Sequence, residues 1–485
     1  MKSLKTESLR TLESLRTSFR KVGQDHVFEH IEDLNAQELE AFIEQLNSVN
    51  LEALSELVKT HLLAKEKDST LDWELLKPAP YIPTPAQGGD PAEWEAAHEL
   101  GEAAIKAGRV AAFTVAGGQG TRLGYDGPKG TFKVSALSGK SLFEIFADKI
   151  YRASQRYDVK IPWFIMTSEL NHEATAQAFK DNDYYGLGED MVSLFTQELV
   201  PAVDLNGKII LENKGMIAMT PNGHGGSLSA LSKKGATEKM RAMGIDILSY
   251  FQVDNPLVPC IDPAFIGFHL SHQSELSSKM IPKAYALEKV GMFCEYKGKQ
   301  IVIEYSDMPQ EMQNMKDANG GILFGAGSVA IHLFDRDFID RIGGVSGDES
   351  LPYHKALKKI PYYDPQLGLV KPTEGNGIKF EMFVFDALPK SRNPLVIEGA
   401  RNENFSPVKN ADGIDSPEAC KQDLKRQAVR WLINAGEAMK LNADGLVDFN
   451  FEINYRFAMD GNDFKKQWTH LEPKPEIKEG TIIGS

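Results

Sequence analysis

Glycines and cations are concentrated in one segment, GGQGTRLGYDGPKG at residues 117–130, which directly follows an apolar stretch. Glycine backbone can approach a ligand closely, and its N–H groups form a concave site for anions. Arg122 offers a planar fork of donors to phosphate oxygens, and Lys129 adds a mobile point charge. These residue types predict a phosphate-binding loop rather than a glycine-rich turn that carries two solvated cations.

Two common nucleotide-binding patterns do not fit this part of the chain. A P-loop needs a glycine five residues before the Gly139-Lys140 pair, where the chain has Val134. A dinucleotide-binding G-x-G-x-x-G loop that starts at Gly118 needs a third glycine where Leu123 stands. The loop therefore belongs to neither class.

Three further charged residues stand out by their local context. Asp254 follows an apolar strand that ends near Val253, and a parallel sheet presents ligand-binding groups at such strand ends. Taken alone, however, Asp254 is better interpreted as part of a turn before Pro256. Lys379 and Lys409 have apolar flanks, which indicates partial enclosure instead of the solvated position that most lysines occupy.

The rest of the chain supplies elements that could position these residues. Apolar residues at helical spacing predict short antiparallel helices within residues 1–76, capped by Asn35 and by the asparagines of 47–50. Prolines and glycines make residues 78–89 a stiff connector. From residue 91 to about 390, apolar strands alternate with helices. This pattern predicts the α/β class with a central, mostly parallel sheet flanked by helices.

The pattern changes near the end of the chain. Strict alternation over residues 448–457, DFNFEINYRF, predicts a half-exposed strand in a small β-containing domain. His269 and His272 lack carboxylates at metal-ligand spacing and are interpreted as helix-surface histidines. The predicted domains are an N-terminal helical segment with its linker (1–90), a catalytic domain (91–394) and a small C-terminal domain (395–485).

Composition narrows the classes of partner. The 485 residues include 54 Lys+Arg and 68 Asp+Glu, for a formal net charge of −14. Duplex nucleic acid needs a basic footprint, so it is an unsuitable partner. The cysteines, Cys260, Cys294 and Cys420, are too widely spaced for a disulfide framework, and no apolar run is long enough to span a membrane. We therefore predict a cytoplasmic protein that binds neither nucleic acid nor membrane, with its oligomeric state left open.

The glycine loop resembles the signature of the eukaryotic-type uridylyltransferases, and most closely that of the UDP-N-acetylhexosamine pyrophosphorylases. The resemblance continues in family order from about residue 20 to residue 430. Its further blocks are KVGQDHVF (21–28), FTQELVPAVDLNGKIILE (195–212), PNGHGGSLSAL (221–231), FQVDNPLVPCIDPAFIGF (251–268), NGIKFEMFVFD (376–386) and FSPVKNAD (405–412). An ordered set of this length is highly specific.

The resemblance implies a Rossmann-like nucleotidyltransferase core that makes a UDP-sugar and pyrophosphate from UTP and a sugar 1-phosphate, with N-acetylglucosamine 1-phosphate favoured. It implies Mg²⁺ as cofactor, held by Asp254. The catalytic cations would be Arg122, Lys129 and Lys409. The nucleotide would contact Gly117, Gly118, Gln119, Gly120, Lys129, Gln197, Gly223 and Lys379, and the sugar would contact His224, Ser328 and Lys409.

Two positions depart from the hexosamine branch of that family. His224 stands where the branch commonly has Asn, and Ser328 stands where it usually has another Asn beside the sugar. An imidazole or a hydroxyl can hydrogen-bond either a sugar hydroxyl or an acetamido carbonyl. Glucose 1-phosphate or broad sugar specificity is therefore the alternative within this class. A catalytically silent nucleotide-sugar-binding regulator is the alternative from another class.

Overall fold

The structure is a computed structural model that describes residues 6–63, 71–344 and 350–484, with side chains from residue 11 onward. The predicted N-terminal helical segment includes residues 1–5 and 64–70, which lie outside the described residues. The chain packs into two compact units. The first unit comprises the described parts of Met1–Asp72, Gln197–Gly226 and Leu351–Val384, and the second comprises Trp73–Thr196, the described parts of Ser227–Ser350, and Phe385 to the end of the described chain.

Helices and strands alternate along much of the described chain. The helices are α1 (Thr6–Lys21), α2 (Ala36–Ser48), α3 (Leu51–Leu57), α4 (Pro91–Lys106), α5 (Leu142–Tyr157), α6 (His172–Asp181), α7 (Gly226–Lys233), α8 (Ala236–Ala242), α9 (Pro263–Ser271), α10 (Gln310–Gln313), α11 (Arg336–Gly343), α12 (Arg401–Asn404), α13 (Pro417–Asn434) and α14 (Gly461–His470). The strands are β1 (Leu76–Pro78), β2 (Val110–Val115), β3 (Trp163–Thr167), β4 (Val192–Thr196), β5 (Leu199–Pro201), β6 (Val203–Asp204), β7 (Leu211–Asn213), β8 (Met216–Ile217), β9 (Met219–Pro221), β10 (Ile247–Gln252), β11 (Leu276–Pro282), β12 (Gly291–Tyr296), β13 (Lys299–Ile303), β14 (Ala326–Asp335), β15 (Tyr353–Lys358), β16 (Tyr362–Asp364), β17 (Gly368–Val370), β18 (Gly377–Met382), β19 (Leu395–Glu398), β20 (Phe451–Ile453) and β21 (Thr481–Ile483).

The second unit is built on a ten-stranded sheet. Its main path is β1-β12-β14-β10-β2-β3-β4, and β13, β11 and β19 pair beside that path. The pairings give one shared direction to β4, β3, β2, β10, β11, β12 and β19, while β1, β13 and β14 run the opposite way. The predicted α/β class with a mostly parallel central sheet is therefore confirmed.

The centre of this sheet is apolar because both of its faces are covered. Every residue of β2 and β3 is buried, as expected for parallel strands with helices on both sides. Phe143 and Phe146 of α5 pack edge to face against Trp163 of β3, with ring centroids 6.0 and 6.5 Å apart, and Phe179 of α6 lies 5.4 Å from the same indole. This aromatic cluster fixes α5 and α6 against the strands that lead to the glycine loop.

Helices α4 and α9 pack at a separation that only small residues allow. A Cβ added at Gly101 would lie 1.8 Å from the carbonyl oxygen of Pro263, and one added at Gly267 would lie 1.6 Å from that of Ala97. Beside this crossing, the rings of Trp94 and Phe268 meet edge to face. Because α4 leads into β2 and α9 follows the Asp254 segment, the crossing helps to position both.

Two expectations for this unit are wrong in detail. The alternating stretch 448–457 forms a strand only over Phe451–Ile453, which pairs in parallel with Thr481–Ile483, and a turn follows it. His269 is buried, with its ring nitrogens bonded to Ser277 and Asp335, whereas His272 is exposed as expected. Sequence spacing did not show that this face of α9 packs on the sheet.

The first unit collects the N-terminal helices and several short strands. Asn35 caps α2 through a capping box with Glu38, and Asn50 caps α3, so these predicted caps are confirmed. Strands β15, β18 and β6 form a three-stranded antiparallel sheet. The core of the unit joins Phe19 and Phe42 of the helices to Phe380 of β18.

The two compact units do not follow the boundaries of the three predicted domains. The N-terminal helices pack with two segments from the middle of the chain, and β19 at residues 395–398 belongs to the large sheet. The boundaries at residues 90 and 394 stay a prediction. No helix among the described residues is long and apolar enough to cross a membrane.

We predict that Gly267→Ala destabilises the protein by about 1–3 kcal/mol, because the added methyl group would overlap the Ala97 carbonyl oxygen. The helix-propensity gain of about 1 kcal/mol from replacing glycine is too small to offset this overlap. Chemical denaturation measures the change. Glu95→Ala, on the exposed side of α4, is the control and is expected to change stability by no more than about 0.5 kcal/mol. Equal stability of wild type and Gly267→Ala would show that the helices are not packed this closely.

Candidate active site

The ends of neighbouring strands bring most of the predicted site residues of the second unit to one edge of its sheet. β2 ends at Val115, directly before the glycine loop, and the neighbouring parallel strand β10 ends at Gln252, two residues before Asp254. β19 has the same direction, and the chain that leaves it reaches Lys409. This carboxyl edge is where open α/β sheets bind their ligands.

The glycine loop is closed by hydrogen bonds within its own backbone. The N–H of Gly120 donates to the carbonyl of Gly127, and the N–H of Lys129 donates to that of Gly118. A Cβ at Gly130 would lie 2.1 Å from the ring of Phe143. Glycine at position 130 therefore lets the chain pass over the α5 aromatic ring directly after Lys129.

Asn171 ties the start of the loop to the end of β3, and sequence analysis did not identify it. Its buried side-chain amide donates to the carbonyls of Ala116 (2.9 Å) and Gly118 (3.2 Å), and its Oδ1 accepts from the N–H and Oγ of Ser168. A trans peptide directs N–H opposite to C=O. The N–H groups of Gly117 and Gln119 therefore point away from Asn171.

These N–H groups remain available to a ligand. Among the described residues, no acceptor bonds the backbone N–H of Gly117, Gly118 or Gln119. Consecutive N–H groups of this kind form an anion-binding concavity. The predicted phosphate-binding character of the loop therefore has a structural basis in its backbone.

Lys129 and Asp254 form an ion pair at this edge. The Lys129 Nζ lies 3.6 Å from the Asp254 Oδ2, and the two side chains are only 15% and 19% exposed. Two opposite charges in a half-buried place attract each other more than at the surface, because solvent screens them less. A phosphate group can engage the lysine and a cation can engage the carboxylate at the same point.

The Asp254 turn is held by a strap that contains Lys409. The Asp254 carbonyl accepts from the N–H of Val408 (2.8 Å), while the Asn255 side chain donates to the carbonyl of Asn404 and accepts from the N–H of Ser406. The Lys409 ammonium lies 5.6 Å from the centroid of the Phe405 ring. We name residues 404–409 the strap.

Asp415 closes the loop that follows the strap. Its carbonyl accepts from the N–H of Lys409 at 2.7 Å. Burial raises the pKa of the Asp415 carboxyl, Lys409 opposes that rise, and the nearby Asp254 carboxylate adds to it. The charges of Lys409, Asp254 and Asp415 therefore interact with one another.

A buried lysine holds the other side of the Asp254 turn. The Lys149 Nζ donates to the carbonyls of Pro256 (2.5 Å) and Val258 (3.0 Å) and lies 4.4 Å from the centroid of the Tyr455 ring. Burial lowers the pKa of Lys149 to about 8. A lone lysine within helix α5 carries no sequence signal for this role.

Ser328 lies at an irregular point of β14. Lys279 pairs with Ile331 but the next residue, Met280, pairs with Ser328, so β14 carries two extra residues there. One of them, Ala330, has a left-handed backbone with φ 55°. Such bulges and strained residues occur next to functional sites.

The first unit gathers a second group of predicted residues. The Gln197 side chain donates to the carbonyl of Gly223 (2.6 Å) and to the Oδ1 of Asn222 (3.1 Å). Gly223 has φ 81°, and a Cβ there would lie 2.4 Å from the carbonyl oxygen of Met382. Glycine is therefore required where this turn passes the end of β18.

His224 and Lys379 complete this group. The Nδ1 of His224 accepts from the N–H of Val384 at 3.2 Å, and its ring stacks on that of Phe383. The Lys379 Nζ lies 2.8 Å from the Oε1 of Glu381, and its side chain is 20% exposed. The expected partial enclosure of Lys379 is present, and part of its charge is already neutralised.

The predicted residues thus fall into two sets. Gln197, Gly223, His224 and Lys379 lie in the first unit, and the glycine loop, Asp254, Ser328 and Lys409 lie in the second. Arg122 is exposed and makes no ion pair within the described ranges. Its guanidinium is therefore available to a ligand.

The donor set around Asp254 is compatible with Mg²⁺. No group of three or more His, Cys, Asp or Glu suited to a metal ion occurs among the described residues. Mg²⁺ keeps several waters and commonly takes only one or two carboxylates together with substrate phosphates. A single half-buried carboxylate beside the glycine loop meets that requirement.

Comparison with known proteins identifies the family to which this chain belongs. Residues 51–443 match the family model described as UTP–glucose-1-phosphate uridylyltransferase. The UDP-N-acetylglucosamine pyrophosphorylase of Saccharomyces cerevisiae is 34% identical, over 90% of this chain and 94% of its own length. UDP-N-acetylhexosamine pyrophosphorylase-like protein 1 of Xenopus tropicalis is 37% identical, over 89% of this chain and 87% of its own.

A solved structure is similar over the whole chain. The UDP-N-acetylglucosamine pyrophosphorylase of Trypanosoma brucei, in complex with an inhibitor, matches with a TM-score of 0.82 and 26% identity, over 100% of this chain and 99% of that one. The resemblance seen in the sequence motifs is confirmed. The chain is a nucleotidyltransferase that belongs to the UTP–glucose-1-phosphate uridylyltransferase family, in its UDP-N-acetylhexosamine pyrophosphorylase branch.

Proposed function

We propose that this protein transfers a uridylyl group from UTP to N-acetylglucosamine 1-phosphate and releases pyrophosphate. The observation that carries the proposal is the Lys129–Asp254 pair at the carboxyl edge of the sheet, next to three backbone N–H groups without an acceptor among the described residues. The names of the relatives at 34% and 35% identity, in Saccharomyces cerevisiae and Dictyostelium discoideum, support the choice of sugar.

The main requirement of this reaction is that the protein offsets the negative charge of the two phosphorylated substrates. A sugar 1-phosphate is largely ionised near neutral pH, since its second pKa is about 6 by analogy with phosphorylated side chains. One of its oxygens attacks the α-phosphorus of UTP, the bond from that phosphorus to the bridging oxygen breaks, and pyrophosphate leaves with the electron pair. No protein base is needed, so the protein must align two polyanions and offset their repulsion.

The residues of the second unit have the chemistry for that task. The N–H groups of Gly117, Gly118 and Gln119, with Gly120 shaping the turn, receive the nucleotide. Lys129 and Arg122 offset charge on the phosphates of UTP. Lys409 binds the sugar phosphate, and the strap fixes its backbone beside Asp254.

Asp254 is the residue that would hold Mg²⁺, with substrate phosphates and water as the other ligands. When bound, the ion supplies positive charge to the oxygens around the α-phosphorus. In its absence Lys129 neutralises the same carboxylate. Asn255, Val408 and Lys149 hold the Asp254 turn in place.

The residues of the first unit suit the uracil base. Both protons of the Gln197 amide are used by Gly223 and Asn222, which leaves Oε1 as the atom offered to a ligand. An acceptor there suits the imide N–H of uracil, a donor that cytosine lacks at the same position. The Gly223 backbone would complete this recognition, and Lys379 would contact the nucleotide phosphates.

His224 and Ser328 are the proposed sugar contacts, and they also support the second candidate. The Nδ1 of His224 accepts from the backbone N–H of Val384, so that atom does not serve a sugar. A serine hydroxyl is shorter than an asparagine amide and suits a sugar hydroxyl equally well. UTP–glucose-1-phosphate uridylyltransferase activity is therefore the second candidate.

Pyrophosphate release from UTP, measured with a panel of sugar 1-phosphates and Mg²⁺, tests the function and the sugar. We expect the highest kcat/KM with N-acetylglucosamine 1-phosphate. A higher value with glucose 1-phosphate would favour the second candidate. Binding of UTP by folded protein without turnover of any sugar would favour the silent regulator instead.

We predict that Lys129→Ala lowers kcat/KM by about 10²–10³, the usual loss when one preorganised donor to developing charge is removed. Asp254→Ala is expected to cost at least as much. Lys133→Ala is the matched control, because it removes an exposed lysine four residues along the chain, and it should leave activity unchanged. Circular dichroism checks folding. Near-wild-type turnover of folded Lys129→Ala would exclude this lysine from the site.

We predict that Asn171→Asp raises the dissociation constant for UTP about tenfold or more, because a carboxylate would face the carbonyls of Ala116 and Gly118 and release the loop. Calorimetry measures UTP binding, and the KM for the sugar phosphate should change much less.

Ser168→Ala is the matched control for Asn171. It removes one donor to the Asn171 Oδ1 but keeps both bonds to the loop, so it should bind UTP like the wild type. Equal UTP binding by the folded Asn171→Asp variant would contradict a positioning role.

A further inference from the structure

A cavity of about 390 Å³ lies in the second unit, and none of its lining residues belongs to the glycine loop or to the Asp254 turn. Its walls are the turn at residues 135–140, the face of α13 from Glu418 to Trp431, and the segment from Asn442 to Tyr455. This volume is within the range of small-molecule sites, roughly 300–1,000 Å³. No step of the proposed reaction uses it.

The lining combines an apolar floor with two available cations. The floor is formed by Leu424, Trp431, Leu446, Val447 and Phe451. At the rim, Lys421 and Lys425 make no ion pair among the described residues, and the contact of Lys425 with Asn450 is long at 3.5 Å.

The other charged groups of the lining are mostly occupied. Lys140 pairs with Asp148 at 2.5 Å, and Glu452 accepts from the backbone of Leu137 and Ser138. Asp448 accepts from the Asn442 amide, and Glu418 lies in the first turn of α13, where the helix dipole stabilises a carboxylate. The lining carries three lysines and three carboxylates in all, so an anionic group of a ligand with an apolar body would be attracted locally, at Lys421 and Lys425.

The cavity wall is bonded to the strap. The Trp431 Nε1 and the Gln427 Nε2 both donate to the Oε2 of Glu403, at 3.1 and 2.9 Å. Glu403 directly precedes Asn404, whose carbonyl accepts from the side chain of Asn255. One wall of the cavity is thus two residue contacts from the Asp254 turn.

A second route reaches the same turn. Tyr455 of the cavity wall donates its hydroxyl to the Oε1 of Gln427 at 2.7 Å, and its ring packs on the Lys149 ammonium. Lys149 holds the carbonyls of Pro256 and Val258. Gln427 bonds both Glu403 and Tyr455, so a ligand that displaces Gln427 loosens both supports of Asp254.

We propose that this cavity is a binding site for a small organic anion with an apolar body, and that its occupancy lowers turnover through the Glu403 and Lys149 contacts. Binding of the anion and the loosening of the Asp254 turn do not depend on the proposed function, whereas the effect on turnover rests on it. The ligand does not compete with UTP, because no residue of the lining belongs to the proposed UTP site.

The probe is 8-anilinonaphthalene-1-sulfonate, which joins aromatic rings to one sulfonate. Its fluorescence should rise on binding to the native protein, and UTP should not displace it. The double variant Lys421→Gln/Lys425→Gln should weaken binding about tenfold, the effect of losing a charge-assisted contact. The matched control Lys465→Gln/Lys466→Gln removes two exposed lysines from α14 and should bind the probe like the wild type. Equal binding by both double variants, or displacement by UTP, would overturn the site.

The coupling between the cavity and the Asp254 turn is measured in two independent ways. Saturating probe should speed amide hydrogen exchange in peptides that cover residues 252–262 and 401–410, a result that does not depend on turnover. It should also lower kcat about fivefold, within the usual range of allosteric coupling, with the KM for UTP unchanged. Unchanged exchange would overturn the coupling. Accelerated exchange in a protein that turns over no sugar would instead reject the proposed function alone.

Discussion

The ion pair between Lys129 and Asp254 is the interaction on which the account of this site depends. It joins the loop after β2 to the turn after β10, two adjacent parallel strands of the central sheet. Each charge partly offsets the other in a half-buried position. The pair therefore keeps a cation and an anion ready at the point where two phosphorylated substrates and a metal ion could meet.

Much of the surrounding structure holds that pair in place. Asn171 fixes the carbonyls of the loop, while Asn255, the strap and Lys149 fix the turn that carries Asp254. These bonds are made by buried groups without the substrate. Preorganisation of this kind places donors where charge develops without a reorganisation cost during the reaction. The burial of an unpaired lysine cation at position 149 is costly, and its contacts with two carbonyls and a tyrosine ring partly offset that cost.

Sequence patterns predicted the parts of the structure that depend on local chemistry. The glycine loop, the strand ends before Asp254, the caps Asn35 and Asn50 and the α/β class all follow from spacing or from a specific motif. Sequence patterns did not predict the contacts between residues that are distant in sequence. Residues 448–457 alternate like a long strand, but only Phe451–Ile453 finds a pairing partner. His269 is polar, yet its partners Ser277 and Asp335 come from other elements. Asn171 and Lys149 carry no motif, because their roles come from carbonyls that are distant in sequence.

A crystal structure with UTP and Mg²⁺ would test the role of the Lys129–Asp254 pair. We predict that the Lys129 Nζ moves from Asp254 to within hydrogen-bond distance of a phosphate oxygen, and that the Asp254 carboxylate binds the metal ion. Triphosphate bound elsewhere, with the Lys129–Asp254 pair still intact, would contradict it.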